Sequence, residues 1–168
     1  KAKIALLYQD DDFGQAYEKA IKKAIKGTDI TIVAEQGFNP LGGTTPEAAV
    51  TKLSQSDADT FIVGLGGTPC PTSLKLKPDT WNPATIVSVT CAGKTALSLA
   101  GGKDQGVIAA QATYDPSDPA DAQVPAVQQF RKDATAAGLT EQQIDGGITG
   151  PGWGFGSLFG LGIENAET

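Results

Sequence analysis

The chain has 168 residues, enough for a single domain with one real hydrophobic core, and its 40% hydrophobic and 19% charged residues are ordinary for a globular protein. A net charge of −6 with no strongly basic window argues against nucleic acid as a partner. His is absent, which removes the commonest general base and the commonest zinc ligand, and no apolar run approaches the ~20 residues of a membrane-spanning helix.

Taken in chain order, short apolar runs alternate with amphipathic stretches. Residues 4–8 read as a buried strand and 9–14 as a polar turn. Residues 16–26 carry Tyr17, Ala20, Ile21, Ala24 and Ile25 at helical spacing, with Gly27 as the stop. Residues 30–34 are a β-branched strand, followed by a loop marked by Asn39-Pro40 and Gly42-Gly43. Thr44 and Glu47 stand at capping-box spacing before a helix that runs to about Gln55. Phe61-Ile62-Val63 is a third strand, ending in the glycine-rich Gly64-Leu65-Gly66-Gly67. A short helix is predicted over 72–77, a fourth strand over 85–89, a fifth over 106–110 and a helix over 124–137, stopped by Gly138. Residues 115–125 form a Pro/Asp/Ala-rich loop. The segment 150–164 is apolar nearly all round, with glycines at even positions, and is read as a helix that needs a partner to bury it.

Alternating strands and helices, with continuously apolar strands, imply an α/β fold built on a doubly wound parallel sheet in flavodoxin-like order 2-1-3-4-5. The absence of Met and the entry into a strand at Lys3 suggest a processed chain or a piece of a longer one.

Several motifs invite chemistry. The Asp10-Asp11-Asp12 triplet suggests a metal, but a solvated turn that caps the next helix is the simpler reading, and no metal site is assigned. A phosphoacceptor receiver would need an Asp after strand three and a Lys near the end of strand five; glycines and Gln111 stand there. The 64–68 glycines lack the Lys-Ser/Thr ending of a P-loop, and Pro69 occupies the third glycine position of a dinucleotide fingerprint. Ser88 and Cys91 have no His to activate them, so no catalytic residue and no cofactor is assigned. Cys70 and Cys91 each lie just past the carboxyl end of a strand; strands three and four should be neighbours, ~4.8 Å apart, which is within the span of a disulfide and implies an oxidising compartment.

The opening, from Lys3 through Gln9-Asp10-Asp11-Asp12-Phe13-Gly14 to Ala16, resembles the second lobe of branched-chain amino-acid-binding proteins, the type I periplasmic binding proteins of ABC importers. The stretches Ala58 to Gly64, Trp81-Asn82-Pro83, Ala100 to Ile108 and Tyr114 to Pro119 fit the same pattern in the same order. The resemblance implies that 1–145 is the second lobe of a two-lobed protein and that 146–168 is a crossover and helix returning to a missing first lobe. It implies an extracellular or periplasmic solute-binding component of an ABC importer, free or membrane-anchored as a lipoprotein in the full-length chain, that closes on a small polar solute such as an amino acid or related metabolite. A ligand-sensing receptor domain of the same fold is the alternative, and an enzyme is not expected. The implied partners are the solute, the first lobe and a transporter permease, with self-association through 150–165 as a further route to cover the last helix.

In an open sheet of this order, ligands bind beyond the carboxyl ends of the strands, between strands one and three. The loops facing that crevice are 9–14 and 64–70, with 90–93 beside them. The candidate ligand-binding residues are Phe13 for apolar contact and Asp12, Gly67, Thr68 and Thr90 for polar contact.

Overall fold

The computed structural model describes residues 1–111 and 113–166. They form two compact units, one of Lys1–Ala92 with Ala96–Ala110, the other of Gly93–Thr95 with the segment from Gln111 onward.

The first unit is a five-stranded, all-parallel sheet in the order β2-β1-β3-β4-β5, as the alternation of strands and helices implies. Strand β1 (Lys3–Gln9) lies between β2 (Thr31–Phe38) and β3 (Thr60–Gly64), and its run Ile4-Ala5-Leu6-Leu7 is buried. Strands β4 (Ala84–Val87) and β5 (Ile108–Ala109) complete the sheet. The core gathers around β3, where Phe61 packs on Trp81 with ring centroids 4.9 Å apart. Trp81 Nε1 donates to Ala58 O at 3.2 Å, so the Trp81-Asn82-Pro83 stretch anchors the entry into β4.

Several elements differ from the sequence reading. Helix α1 spans Asp12–Ala24, starting four residues earlier than the apolar spacing suggests, because Asp11 caps it by accepting from Gly14 N at 3.1 Å. Strand β2 runs four residues past Ala34 through Glu35-Gln36-Gly37; as an edge strand it alternates inward and exposed side chains, so its polar residues are compatible with pairing. Helix α2 (Glu47–Ser54) begins after Pro46, with no side-chain cap, so the Thr44/Glu47 spacing forms no capping box. Helix α3 (Pro69–Leu76) starts at a proline in its first turn, a place where the missing N–H costs nothing. After β4 a 3-10 turn (Val89–Cys91) and a short helix α4 (Lys94–Leu97) follow.

In the second unit, α5 (Pro125–Ala136), α6 (Glu141–Ile144) and α7 (Thr149–Ala166) enclose a small core of Phe130, Ala134 and Ile144. Thr140 and Gln143 form the reciprocal capping box that opens α6. Arg131 donates to Pro116 O at 2.9 Å and to Asp145 Oδ1 at 2.6 Å, and also pairs with Glu141. Trp153 anchors α7 on Phe130 and donates to Asp133 Oδ2 at 3.0 Å. Beyond it, Phe155, Leu158, Phe159, Leu161 and Ile163 are exposed.

The seating of α1 on β1 depends on Gly14. A Cβ there would fall 2.0 Å from Gln9 O and 2.3 Å from Gln9 N, and backbone atoms cannot yield as a side-chain tip can. Gly14→Ala should destabilise the protein by about 3 kcal/mol, in the range of overpacking and backbone displacement. Urea unfolding measures it, and a change within ~0.5 kcal/mol, the scatter of neutral surface substitutions, would refute this seating.

Candidate functional site

Three strand ends meet at one spot. Gln9 closes β1, and its side chain reaches sideways: Oε1 accepts from Gly66 N at 3.1 Å and Nε2 donates to Asp11 Oδ2 at 2.5 Å. One amide therefore ties the β1 turn to the loop after β3. Past β4, Ser88 Oγ lies 2.5 Å from Leu65 O and 3.0 Å from Thr90 Oγ1, which is itself 3.4 Å from Leu65 O. These bonds stitch the loop after β3 to the loop after β4.

Gly66 marks the centre of the arrangement. A Cβ placed on it would meet Gln9 Oε1 at 3.5 Å, Thr90 Oγ1 at 3.7 Å and Phe13 Cε1 at 3.9 Å. An amide oxygen, a hydroxyl and an aromatic edge thus surround the space that the missing side chain leaves. Phe13 is half-buried and leans on Tyr17, ring centroids 5.2 Å apart, with its edge toward Gly66. Tyr17 can lie there because residue 64 is glycine: a Cβ would come within 3.2 Å of Tyr17 Cβ.

Of the residues named from sequence, the structure groups Phe13 and Thr90 around Gly66. Gly67 and Thr68 follow directly, exposed, at the start of α3; Gly67 takes φ +58°, a conformation that favours glycine. Asp12 is exposed in the first turn of α1, and the neighbouring Asp11 is the residue engaged with Gln9 and Gly14. The sequence singles out Gly66 only as part of the 64–70 loop, and it does not single out Gln9 or Ser88 for this site. Gln9 carried a signal, as the first polar residue after a buried strand in the loop already singled out; the buried Ser88 carried none beyond closing an apolar run.

The hydroxyls have a definite polarity. A carbonyl only accepts, so the single Ser88 proton is committed to Leu65 O. The one Thr90 proton then lies between Ser88 Oγ at 3.0 Å and Leu65 O at 3.4 Å, and the Thr90 oxygen keeps acceptor capacity. Gln9 Oε1 keeps one lone pair beyond the bond from Gly66 N. Gln9 Oε1 and Thr90 Oγ1 are thus two groups beside Gly66 with acceptor capacity to spare.

The Cys70–Cys91 disulfide joins α3 to the 3-10 turn that holds Thr90, its Cα atoms 6.0 Å apart, a span that the neighbouring strand ends allow.

Hydrogen bonds from the Gln9 side chain, and from the amides of Gly14 and Phe13, hold the Asp11 carboxyl below its ordinary pKa. A depressed folded-state value contributes stability that is present above the unfolded-state pKa and is lost as pH falls through the folded-state one. A ¹³C titration of Asp11 should give a midpoint below 3.8, with the Gly66 amide shift tracking it through Gln9; a midpoint above 3.8 would show the network unformed in solution.

The model of a family described as periplasmic binding protein matches residues 1–168. Among solved structures, the chain is similar to a branched-chain amino acid ABC transporter protein from Thermus thermophilus with bound valine, at 20% identity and a TM-score of 0.72, over 89% of this chain and 39% of that one. An ABC transporter substrate-binding protein from Aeropyrum pernix aligns at 19% identity and a TM-score of 0.71, over 89% and 41%. An extracellular ligand-binding receptor from Verminephrobacter eiseniae aligns at 20% and 0.69, over 89% and 44%. The chain thus spans less than half the length of each of these structures, and at such identities the likeness is one of fold. No curated protein matches. The family and these neighbours are solute-binding proteins, not enzymes, and they act outside the cytoplasm. With its whole length matched and its sheet wound in the order that leaves a crevice at β1 and β3, the chain belongs to the periplasmic binding protein family.

Proposed function

We propose that this chain is one lobe of the extracellular solute-binding component of an ABC importer, and that it holds one side of a small polar solute at the crevice around Gly66. The observation that carries the reading is the convergence of Gln9, Phe13 and Thr90 on the space in front of that glycine, at the switch point of a doubly wound sheet. Two groups with acceptor capacity beside an aromatic edge suit a solute that carries an N–H or ammonium group beside an apolar portion, such as an amino acid or a related metabolite. Gly67 and Thr68, at the start of α3, and Asp12, at the start of α1, complete the proposed contact set. A permease is the downstream partner on this reading.

The proposed lobe covers 1–145, with 146–168 reaching toward a second lobe. Support comes from the share of the solved structures that the chain spans and from the exposed apolar side chains of α7, beside an apolar groove of about 520 Å³ lined by Tyr114, Val127, Phe130 and Leu158. Binding proteins of two lobes close on ligand like a clamp, and closure removes the solute from water. A single lobe leaves it half solvated, so its polar contacts compete with water.

Three outcomes are expected. Calorimetry of this chain with a panel of L-amino acids should give at best millimolar binding, since half of an ~8 kcal/mol micromolar interaction leaves ~4 kcal/mol. Thr90→Val, which keeps the shape and removes the acceptor, should weaken that binding about fivefold, the equivalent of one net hydrogen bond. Micromolar binding by this chain alone would show a complete site on one lobe, and an unaltered affinity in the Thr90 variant would remove that residue from the contact set. Light scattering should also show concentration-dependent self-association through 150–165, and a strict monomer at all concentrations would overturn the role given to α7.

A further inference from the structure

We infer that the Cys70–Cys91 disulfide and the Ser88 hydroxyl together are a positioning device, holding the loop after β3 against the loop after β4 so that the crevice floor is formed before any ligand arrives. The inference rests on the binding role proposed for that crevice, and it adds how the site is kept in shape. Neither cysteine touches the space in front of Gly66.

Backbone pairing between β3 and β4 runs from Thr60↔Ala84 to Val63↔Val87, and Ser88 N still donates to Val63 O at 2.9 Å. Beyond that point the ladder ends, yet every candidate contact lies beyond it. Three glycines in the four residues 64–67 give this loop unusually large conformational freedom to lose. Side-chain links replace the ladder: Ser88 donates to Leu65 O, Thr90 lies within reach of the same carbonyl, and the disulfide joins the residue two after Thr68 to the residue directly after Thr90. Both cysteines are 0% exposed and Ser88 is 1% exposed, so water cannot substitute for these links while the unit stays folded. The sheet does not depend on the bridge in the same way, because β1, β2 and β3 pair over their full lengths upstream of it. Loss of the bridge is therefore expected to loosen the loops and leave the sheet in place.

The test compares the oxidised chain with the same chain unfolded in urea, reduced by a phosphine and refolded, using ¹⁵N relaxation, which reads local order on a fast timescale independently of global stability. In the oxidised form, the amides of Gly66, Gly67, Thr68 and Thr90 should have order parameters near the ~0.85 of rigid backbone; on reduction they should fall toward ~0.6, while Leu6, Leu7 and Val63 stay near ~0.85. A Cys70→Ala/Cys91→Ala double variant should reproduce the reduced state. Val50→Ala, which opens a cavity in α2 away from the site, should lower stability and leave the loops rigid. Loops as rigid after reduction as before, or order lost equally across the sheet, would overturn the inference. In a second arm, L-valine is titrated into both forms and should bind at least tenfold more weakly when the protein is reduced; equal affinity would overturn the inference as well. Valine binding in neither form would fault the solute reading alone, and the order parameters would still decide the role of the bridge.

Discussion

Strand β1 is hydrogen-bonded along both edges, to β2 over its whole length and to β3 from Ile4 to Tyr8. Its four consecutive buried residues leave no polar face on which the chain could continue in the plane of the sheet. The chain must leave the sheet at Gln9, and it does so in two residues, with Asp10 N donating to Phe38 O at 2.8 Å and Asp11 already capping α1. The crossover from β1 to β2 then covers one face and the crossovers from β2 onward cover the other, because right-handed connections that move in opposite directions along a sheet lie on opposite faces. Among the described residues no helix closes the gap between the carboxyl ends of β1 and β3, and that gap is the crevice.

Each glycine around this crevice does something different. Gly14 lets the first turn of α1 rest on the backbone of Gln9. Gly64 lets Tyr17 of the same helix lie on the end of β3. With α1 held at both points, Phe13 is aimed at Gly66, the position whose missing side chain leaves room among Gln9, Phe13 and Thr90. Gly67 turns the chain into α3 with its positive φ. A phosphate cradle would use such glycines for their free amides. Here the Gly66 amide is taken up by Gln9, so the loop contributes shape and a fixed position more than donors.

Much of the fold was legible because its strands are short, apolar and separated by recognisable breakers. The strand order followed from the handedness of crossovers, and the disulfide from the adjacency of β3 and β4. What was not legible depended on partners far along the chain. Glu35 and Gln36 look like loop residues until β1 is known to pair with them, and Glu35 is further occupied by Lys22 of α1 at 2.8 Å. The Thr44/Glu47 spacing satisfies a local rule, yet Pro46 sets the start of α2 without it. The box that forms is Thr140 with Gln143, in a stretch with no strong apolar periodicity to draw attention to it. At the site, single residues in loops could be chosen by strand order, but Gln9 and Ser88 act through carbonyl and amide groups more than twenty positions away, and no local pattern announces such bonds.

Helix α7 poses the opposite problem, since its local sequence argues against it. Six of its 18 residues are glycines, each about 1 kcal/mol worse than Ala in a helix interior. Propensity alone would leave such a segment unfolded in water, and isolated helices of this length are marginal even when rich in Ala. Within its own unit the helix is fixed near its start, by Trp153 on Phe130 and Asp133, and the bulky side chains from Phe155 to Ile163 stay exposed. Alternation of glycine with large apolar residues is a poor way to make an independent helix and a good way to make one that another surface can approach closely. Glycine removes the side-chain layer that would keep a neighbour at a distance, and the flanking Phe and Leu side chains supply the area to bury. The order of this segment is thus a property of what it packs on, whereas the order of the crevice is a property of the sheet and of the disulfide and Ser88 hydroxyl that join its loops.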